Sequence, residues 1–233
     1  MTVLIALLLA LLPAAQPGGF HRQERSALLA FRYDWPAEAE AVPALRAELR
    51  RRMTSAYAEA LAAARESRAS AREAQVPFHT ELYDQRWSLE AGNGRFLSLT
   101  ADLHTDNNGA HPNRGFDALV WDRARGRATS ARVLLGPAAL GRLSPAYCSR
   151  LNAMVAAHGG EPPSRCPPLA EQVMAFSDRD HDGKFDALHV LIPPYVAASY
   201  ADGSFVVEVI FDRGDLEGLA PADRAAFEEA PGR

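Results

Sequence analysis

From Val42 onward, apolar residues return at steps of three and four: Leu45, Leu49, Met53, Ala56, Tyr57, Ala60, Leu61 and Ala64. That spacing places them on one stripe of a helix, with Arg46, Arg50, Glu59, Glu66 and Arg72 off it. The segment predicts a helix opened by Trp35-Pro36 and closed near Gln75, before Val76-Pro77. A helix of that length is long for a globular domain, so a break is expected near Ser67 to Ser70. After Pro77 the period drops to two. Tyr83, Gln85, Trp87 and Leu89 alternate with Leu82, Asp84, Arg86 and Ser88, Gly92-Asn93-Gly94 supplies a turn, and Leu97, Leu99, Ala101 and Leu103 form the next strand face. Gly115 to Asp122 reads as a third strand turning at Arg125-Gly126. Pro137 to Ala157 reads as a second helix, and Phe185 to Ile192 and Phe205 to Phe211 as a closing β section. The expected class is α+β: a long N-terminal amphipathic helix packed on a mainly antiparallel sheet, with a second helix between the β sections.

Val3 to Leu12 is an unbroken apolar run followed by Pro13, Ala14 and Ala15. It is too short to span a bilayer and has the form of a secretory signal peptide. The expected organisation is therefore a signal peptide over residues 1–15, a polar lead-in over 16–30, one domain over 31–212, and a helical tail over 213–233. Export implies a periplasmic or secreted protein with no stable membrane span after cleavage. The chain has 233 residues with 25 basic and 29 acidic side chains, a formal charge of −4, and Lys184 as its only lysine. That balance does not suit a nucleic-acid binder, which carries a basic face. Cys148 and Cys166 are the only cysteines. In an oxidising compartment they are expected to form a disulfide closing the loop around Gly159-Gly160-Glu161-Pro162-Pro163.

Asp178-Arg179-Asp180-His181-Asp182-Gly183-Lys184-Phe185-Asp186 carries carboxylates at alternate positions followed by glycine. This matches the first half of a calcium loop, with Asp178, Asp180 and Asp182 at positions one, three and five. The Lys184 carbonyl would stand at seven and Asp186 at nine. Position twelve, usually a bidentate glutamate, is His189, so a weak, structural Ca2+ site is expected. The competing expectation is an Asp-Gly turn with no ion. His104 and His111 have acids nearby, Asp117 among them, which suggests a base and its orienting partner. No nucleophile elbow and no His-Glu-x-x-His zinc motif occurs.

Two turn-rich segments remain: Asn108-Gly109-Ala110-His111-Pro112, ahead of a Phe116-containing strand, and Pro194-Tyr195 followed by Tyr200-Ala201-Asp202-Gly203. With Phe31-Arg32-Tyr33 and Pro36, their order and spacing resemble the PdaC/RsiV-like family of exported domains. Its members carry Gly-Gly-Ala-His where this chain has Asn108-Gly109-Ala110-His111. The resemblance covers roughly residues 31–212. It implies an exported α+β domain in which Gly109, Ala110, His111, Tyr195, Tyr200 and Gly203 contact a ligand. RsiV-like members bind lysozyme and signal across a membrane, and PdaC-like members deacetylate peptidoglycan through a separate catalytic domain. Neither a signalling nor a catalytic part is expected in this chain. The function expected is thus an envelope binding module for a lysozyme-like protein, another envelope protein or a cell-wall glycan. A small wall-polymer hydrolase using His111, His104 and Asp117, and a calcium-stabilised structural protein, are the alternatives.

Overall fold

A computed structural model describes residues 18–212 and 214–229. The expected signal peptide lies outside the described residues. The chain forms strands β1 (Phe20–Arg25) and β2 (Leu29–Trp35), a helical turn α1 (Ala37–Glu40), and the long helix α2 (Pro43–Glu73). Strands β3 (Glu81–Gly92), β4 (Phe96–Asp106), β5 (Asn113–Asp122) and β6 (Arg127–Thr129) follow, then helix α3 (Ala131–Ala157). Strands β7 (Val173–Ser177), β8 (Ala187–Ile192) and β9 (Phe205–Ile210) and a short helix α4 (Pro221–Arg224) complete it. The strands form a six-stranded sheet A in the order β1-β2-β3-β4-β5-β6 and a three-stranded sheet B in the order β7-β8-β9. The α+β class holds.

The expectation of an N-terminal helix on an antiparallel sheet is corrected in two respects. Two strands precede the helix: residues taken as a polar lead-in make β1, and Leu29, Phe31, Tyr33 and Trp35 make the buried face of β2. Because α2 carries the chain across the sheet from β2 to β3, these two strands run parallel and sheet A is mixed. The helix also breaks at a different place. Val42 precedes Pro43 and is extended, with φ −100° and ψ 103°, so α1 and α2 part there and α2 then runs unbroken through Ser67 to Ser70. The expected helical tail is helical only over Pro221–Arg224 among its described residues.

Leu45, Leu49 and Met53 of α2 pack on one face of sheet A against Phe31, Tyr33, Trp35, Trp87, Leu99 and Trp121. Sheet B meets the opposite face edge-on through β7, where the Phe176 N–H donates to the buried Ser98 hydroxyl at 2.9 Å. Helix α3 covers sheet B: Leu143, Tyr147, Leu151 and Val155 join Phe176, Leu188, Val190, Val207 and Val209 in a second core. The last described residues return to that core, with Phe227 bridging to Phe185 and packing on Phe96 and Phe176. Cys148 and Cys166 are bridged, tying α3 to the loop after it. In the chain-entropy view, closing that loop contributes about 3 kcal/mol.

Two polar junctions hold the sheets together. Arg95, in the β3–β4 turn, lies between Asp122 of β5 and Asp223 of α4; both aspartates are buried, and Arg125 joins them. Asn93 in the same turn donates to the Ala226 carbonyl at 3.2 Å. The second junction is His189 of β8, which meets Glu90 of sheet A at 2.5 Å and Glu208 of β9 at 3.9 Å. Glu90 is the extra residue of a β-bulge between Leu89 and Ala91, which explains how it leaves the sheet face to reach β8.

Replacing Arg95 with leucine leaves two buried carboxylates with only the half-exposed Arg125 as their cation, and the expected loss is about 2–3 kcal/mol in urea denaturation. A loss under about 1 kcal/mol would show that the junction is not structural. The hydrogen bond to Glu90 raises the His189 pKa in the folded state. Its contribution is therefore fully present below the unfolded histidine value of about 6.5, and fades as pH rises through the higher folded value. Melting temperature should fall on moving from pH 6 to pH 9, and His189→Gln should flatten that slope.

Candidate functional site

The two segments singled out in the sequence come together through His111 and Tyr195, 84 residues apart. One is the β4–β5 connection and the other is the loop between β8 and β9, so each sheet contributes one side. His111 Nδ1 lies 2.9 Å from the Pro112 carbonyl and its Nε2 lies 2.9 Å from the Tyr195 hydroxyl. A carbonyl only accepts, so Nδ1 carries the proton, and in the neutral ring Nε2 accepts from the Tyr195 O–H. The Tyr200 hydroxyl donates to the same Pro112 carbonyl at 2.8 Å. The His111 and Tyr200 rings stack with centroids 4.0 Å apart, and Tyr195 leans on both. Tyr195 remains 65% exposed.

The backbone on both sides is unusual. Asn108 adopts φ 62° and Tyr195 adopts φ 70°. Asparagine tolerates the left-handed region, which accounts for Asn108 where the resembling family has glycine. Its side chain also accepts from the His79 N–H at 2.7 Å and donates to the His79 carbonyl at 2.9 Å, pinning the loop to the segment before β3. A tyrosine in that region is strained by roughly 1–3 kcal/mol and persists only where its surroundings hold it. Gly203, with φ 77°, ends the Tyr200–Asp202 turn, whose start is fixed by a Ser199–Asp202 capping box. Gly109 and Ala110 are exposed beside His111.

The other expected residues are not gathered here. His104 is on the face of sheet A turned away from α2, whereas Asp117, opposite Ala101, faces α2 and meets Arg52 at 3.4 Å. The two therefore lie on opposite faces of the sheet. Burial nevertheless holds the Asp117 carboxyl above its ordinary range, outweighing the attraction of Arg52.

In the acidic loop the carboxylates of Asp178, Asp180 and Asp182 lie within 4.8 Å of one another. Gly183 N–H donates to Asp178 at 2.9 Å and Lys184 N–H to Asp182 at 2.8 Å. Asp178 Oδ1 is buried and accepts no hydrogen bond among the described residues. Asp186 does not join the three: it is buried, accepts from the Arg179 N–H at 3.0 Å and faces the Arg179 guanidinium at 3.8 Å. The Lys184 ammonium lies 3.5 Å from Asp182 and 3.0 Å from Glu228.

Among solved structures, a DUF3298 family protein from Pseudomonas aeruginosa PAO1 matches over 93% of this chain and 96% of its own, with a TM-score of 0.55 and 15% identity. The fold is that of DUF3298 family proteins. A second member, from Bacteroides fragilis NCTC 9343, matches over 86% of this chain and 91% of its own, with a TM-score of 0.51 and 12% identity. At these identities the shared property is the DUF3298-type fold. No family model matches the chain, and no curated protein is significantly similar to it. Among the described residues no helix is long and apolar enough to cross a membrane.

Exchanging Tyr195 for glycine removes the left-handed strain together with the ring. The melting temperature should stay level or rise, because relief of roughly 1–2 kcal/mol per residue offsets the lost contacts. A clear fall would mean that the tyrosine is kept for stability.

Proposed function

We propose that this chain is an exported, PdaC/RsiV-like binding module of the cell envelope, held in the periplasm or secreted. Its ligand contacts the platform formed by His111, Tyr195 and Tyr200. The observation that carries this reading is Tyr195, a strained and largely exposed aromatic residue fixed by the hydrogen bond its hydroxyl donates to His111 on the β4–β5 connection. Strain of that kind clusters where a side chain must be presented in one orientation. An exposed tyrosine with a free face suits a protein surface or a sugar ring. Both His111 nitrogens are engaged, which favours presentation over proton transfer. The ligand that the family resemblance brings first is a lysozyme-like protein, with a peptidoglycan fragment as the alternative.

Calorimetric titration with chicken-type lysozyme, and separately with a soluble muropeptide, tests the proposal. Saturable binding of one of them to the wild type, weakened at least tenfold in Tyr195→Gly and in His111→Ala, is expected. Binding unchanged in both variants would overturn the role of the platform, and heat no greater than dilution with both ligands would overturn the ligand class.

A calcium-stabilised loop is a second, compatible reading, supported by the three converging carboxylates and the buried, unpartnered Asp178 oxygen. With Asp186 turned inward, three carboxylates and the Lys184 carbonyl remain, which suits the 10⁻⁴ to 10⁻³ M range of extracellular modules. Millimolar Ca2+ should raise the melting temperature by a few degrees, and Asp180→Ala with Asp182→Ala should remove the effect. An equal rise with Mg2+ would point to charge screening.

A further inference from the structure

Strand β5 has ten residues, and β4 pairs with all of them from Asn113 to Asp122, but β6 pairs only with Val120, Trp121 and Asp122. Residues 113–119 therefore form a free sheet edge. The Arg123 N–H bonds the Arg95 carbonyl at 3.0 Å, so in this antiparallel ladder the odd-numbered β5 residues turn their main chain toward β4. The even-numbered residues turn outward. Val120 and Asp122 meet β6, whereas Arg114, Phe116 and Ala118 present N–H and C=O groups to the open side. Among the described residues no main-chain partner reaches these three. The Ala118 N–H is held instead by the carboxylate of its own neighbour, Asp117, at 2.8 Å.

The edge has a feature at each end. Its start, next to Pro112, adjoins the His111–Tyr195–Tyr200 platform, whose Tyr200 hydroxyl binds the Pro112 carbonyl. At its other end β6 leaves the sheet where Ser130 turns the chain into α3. The gap so formed is a cavity of about 370 Å³ lined by Asp117, Ala118, Ser130, Arg132, Glu171 and Gln172 among others. Glu171 has no ionic partner among the described residues, and Arg132 is turned to the Gln172 carbonyl at 3.5 Å. From Pro112 to Ala118 the edge is about 20 Å long.

We infer that an extended polypeptide segment of a partner protein adds to β5 as a further strand, collinear with β6, with one end on the aromatic platform and a lysine or arginine side chain in the cavity. The inference rests on the binding-module reading and narrows its ligand to a polypeptide. Alternating outward N–H and C=O groups are complemented by another extended main chain, which makes the same alternation, and not by a glycan. Glu171, without an ionic partner among the described residues, supplies the charge that a basic side chain answers. Asp117 guards the empty edge by occupying the Ala118 N–H, as charged residues do on natural edge strands.

The test takes a random linear twelve-residue peptide library displayed on phage, panned on the purified chain, and uses the tightest enriched peptide as probe. On wild-type protein, hydrogen exchange of the Arg114 and Phe116 amides should slow at least tenfold on binding. Ala118→Pro removes an edge N–H at a position outside the β4 ladder, where proline is tolerated. It should weaken binding at least tenfold, and Glu171→Gln should weaken peptides with a basic residue more than those without. Enrichment of no peptide above the bare support, or a bound peptide that leaves both amides unprotected, would overturn the inference; the exchange measurement needs no variant to fold. Loss of lysozyme binding in Tyr195→Gly with the edge unprotected would leave the platform standing and remove the edge. Edge protection by a peptide indifferent to Tyr195→Gly would do the reverse.

Discussion

Arg95 sits between two buried aspartates, and the position of every candidate site residue depends on what that cation holds together. A buried carboxylate without a cation is strongly disfavoured, so Asp122 at the end of β5 and Asp223 near the end of the chain gather round Arg95, with Arg125 joining from the more exposed side. The shared guanidinium draws the C-terminal segment against the β3–β4 turn. That in turn seats Phe227 among Phe96, Phe176 and Phe185, where sheets A and B share a core. At the other junction His189 of β8 meets Glu90 of sheet A, and Ser98 satisfies the edge N–H of β7. Sheet B is thereby fixed on sheet A by two charged junctions and one neutral hydrogen bond.

A rigid union matters because the aromatic platform belongs to neither sheet. His111 comes from a connection within sheet A, and Tyr195 and Tyr200 from a connection within sheet B. A shift of one sheet against the other by an ångström or two would break the 2.9 Å bond that keeps Tyr195 in its left-handed conformation. The platform therefore reads as a preorganised surface: the fold bears the backbone strain before any ligand arrives, and less ordering is left for binding to impose. The free β5 edge begins beside the platform and is set by the same strand, so both features share one scaffold.

Much of this was legible in the residues, and what was missed has identifiable causes. Strands β3, β4, β5, β8 and β9 announced themselves by alternation or by apolar runs between turns, and the stripe on α2 was clear. Strand β2 carries an equally clear signal, with Leu29, Phe31, Tyr33 and Trp35 alternating with Ala30, Arg32 and Asp34, but it straddles the expected lead-in and the helix start, and Phe31-Arg32-Tyr33 enters the reading only as a family motif. The break at Val42-Pro43 followed from the same proline rule applied at Pro36 and Pro77. Strand β1 buries little beyond part of Phe20, and β7 is five residues packed on both faces, so neither has a period to read. The disulfide and the two loop motifs were visible as residues. Their convergence across 84 positions, the opposite faces of His104 and Asp117, and the inward turn of Asp186 required the register and the packing.

The account is tested most directly by mapping backbone amide shifts of isotope-labelled protein during titration with chicken-type lysozyme. It predicts changes concentrated at residues 108–118 and 194–203, with α2 and the acidic loop unmoved. Saturable binding whose shifts centre on α2 or on residues 178–186, leaving Tyr195 and Tyr200 unperturbed, would contradict it.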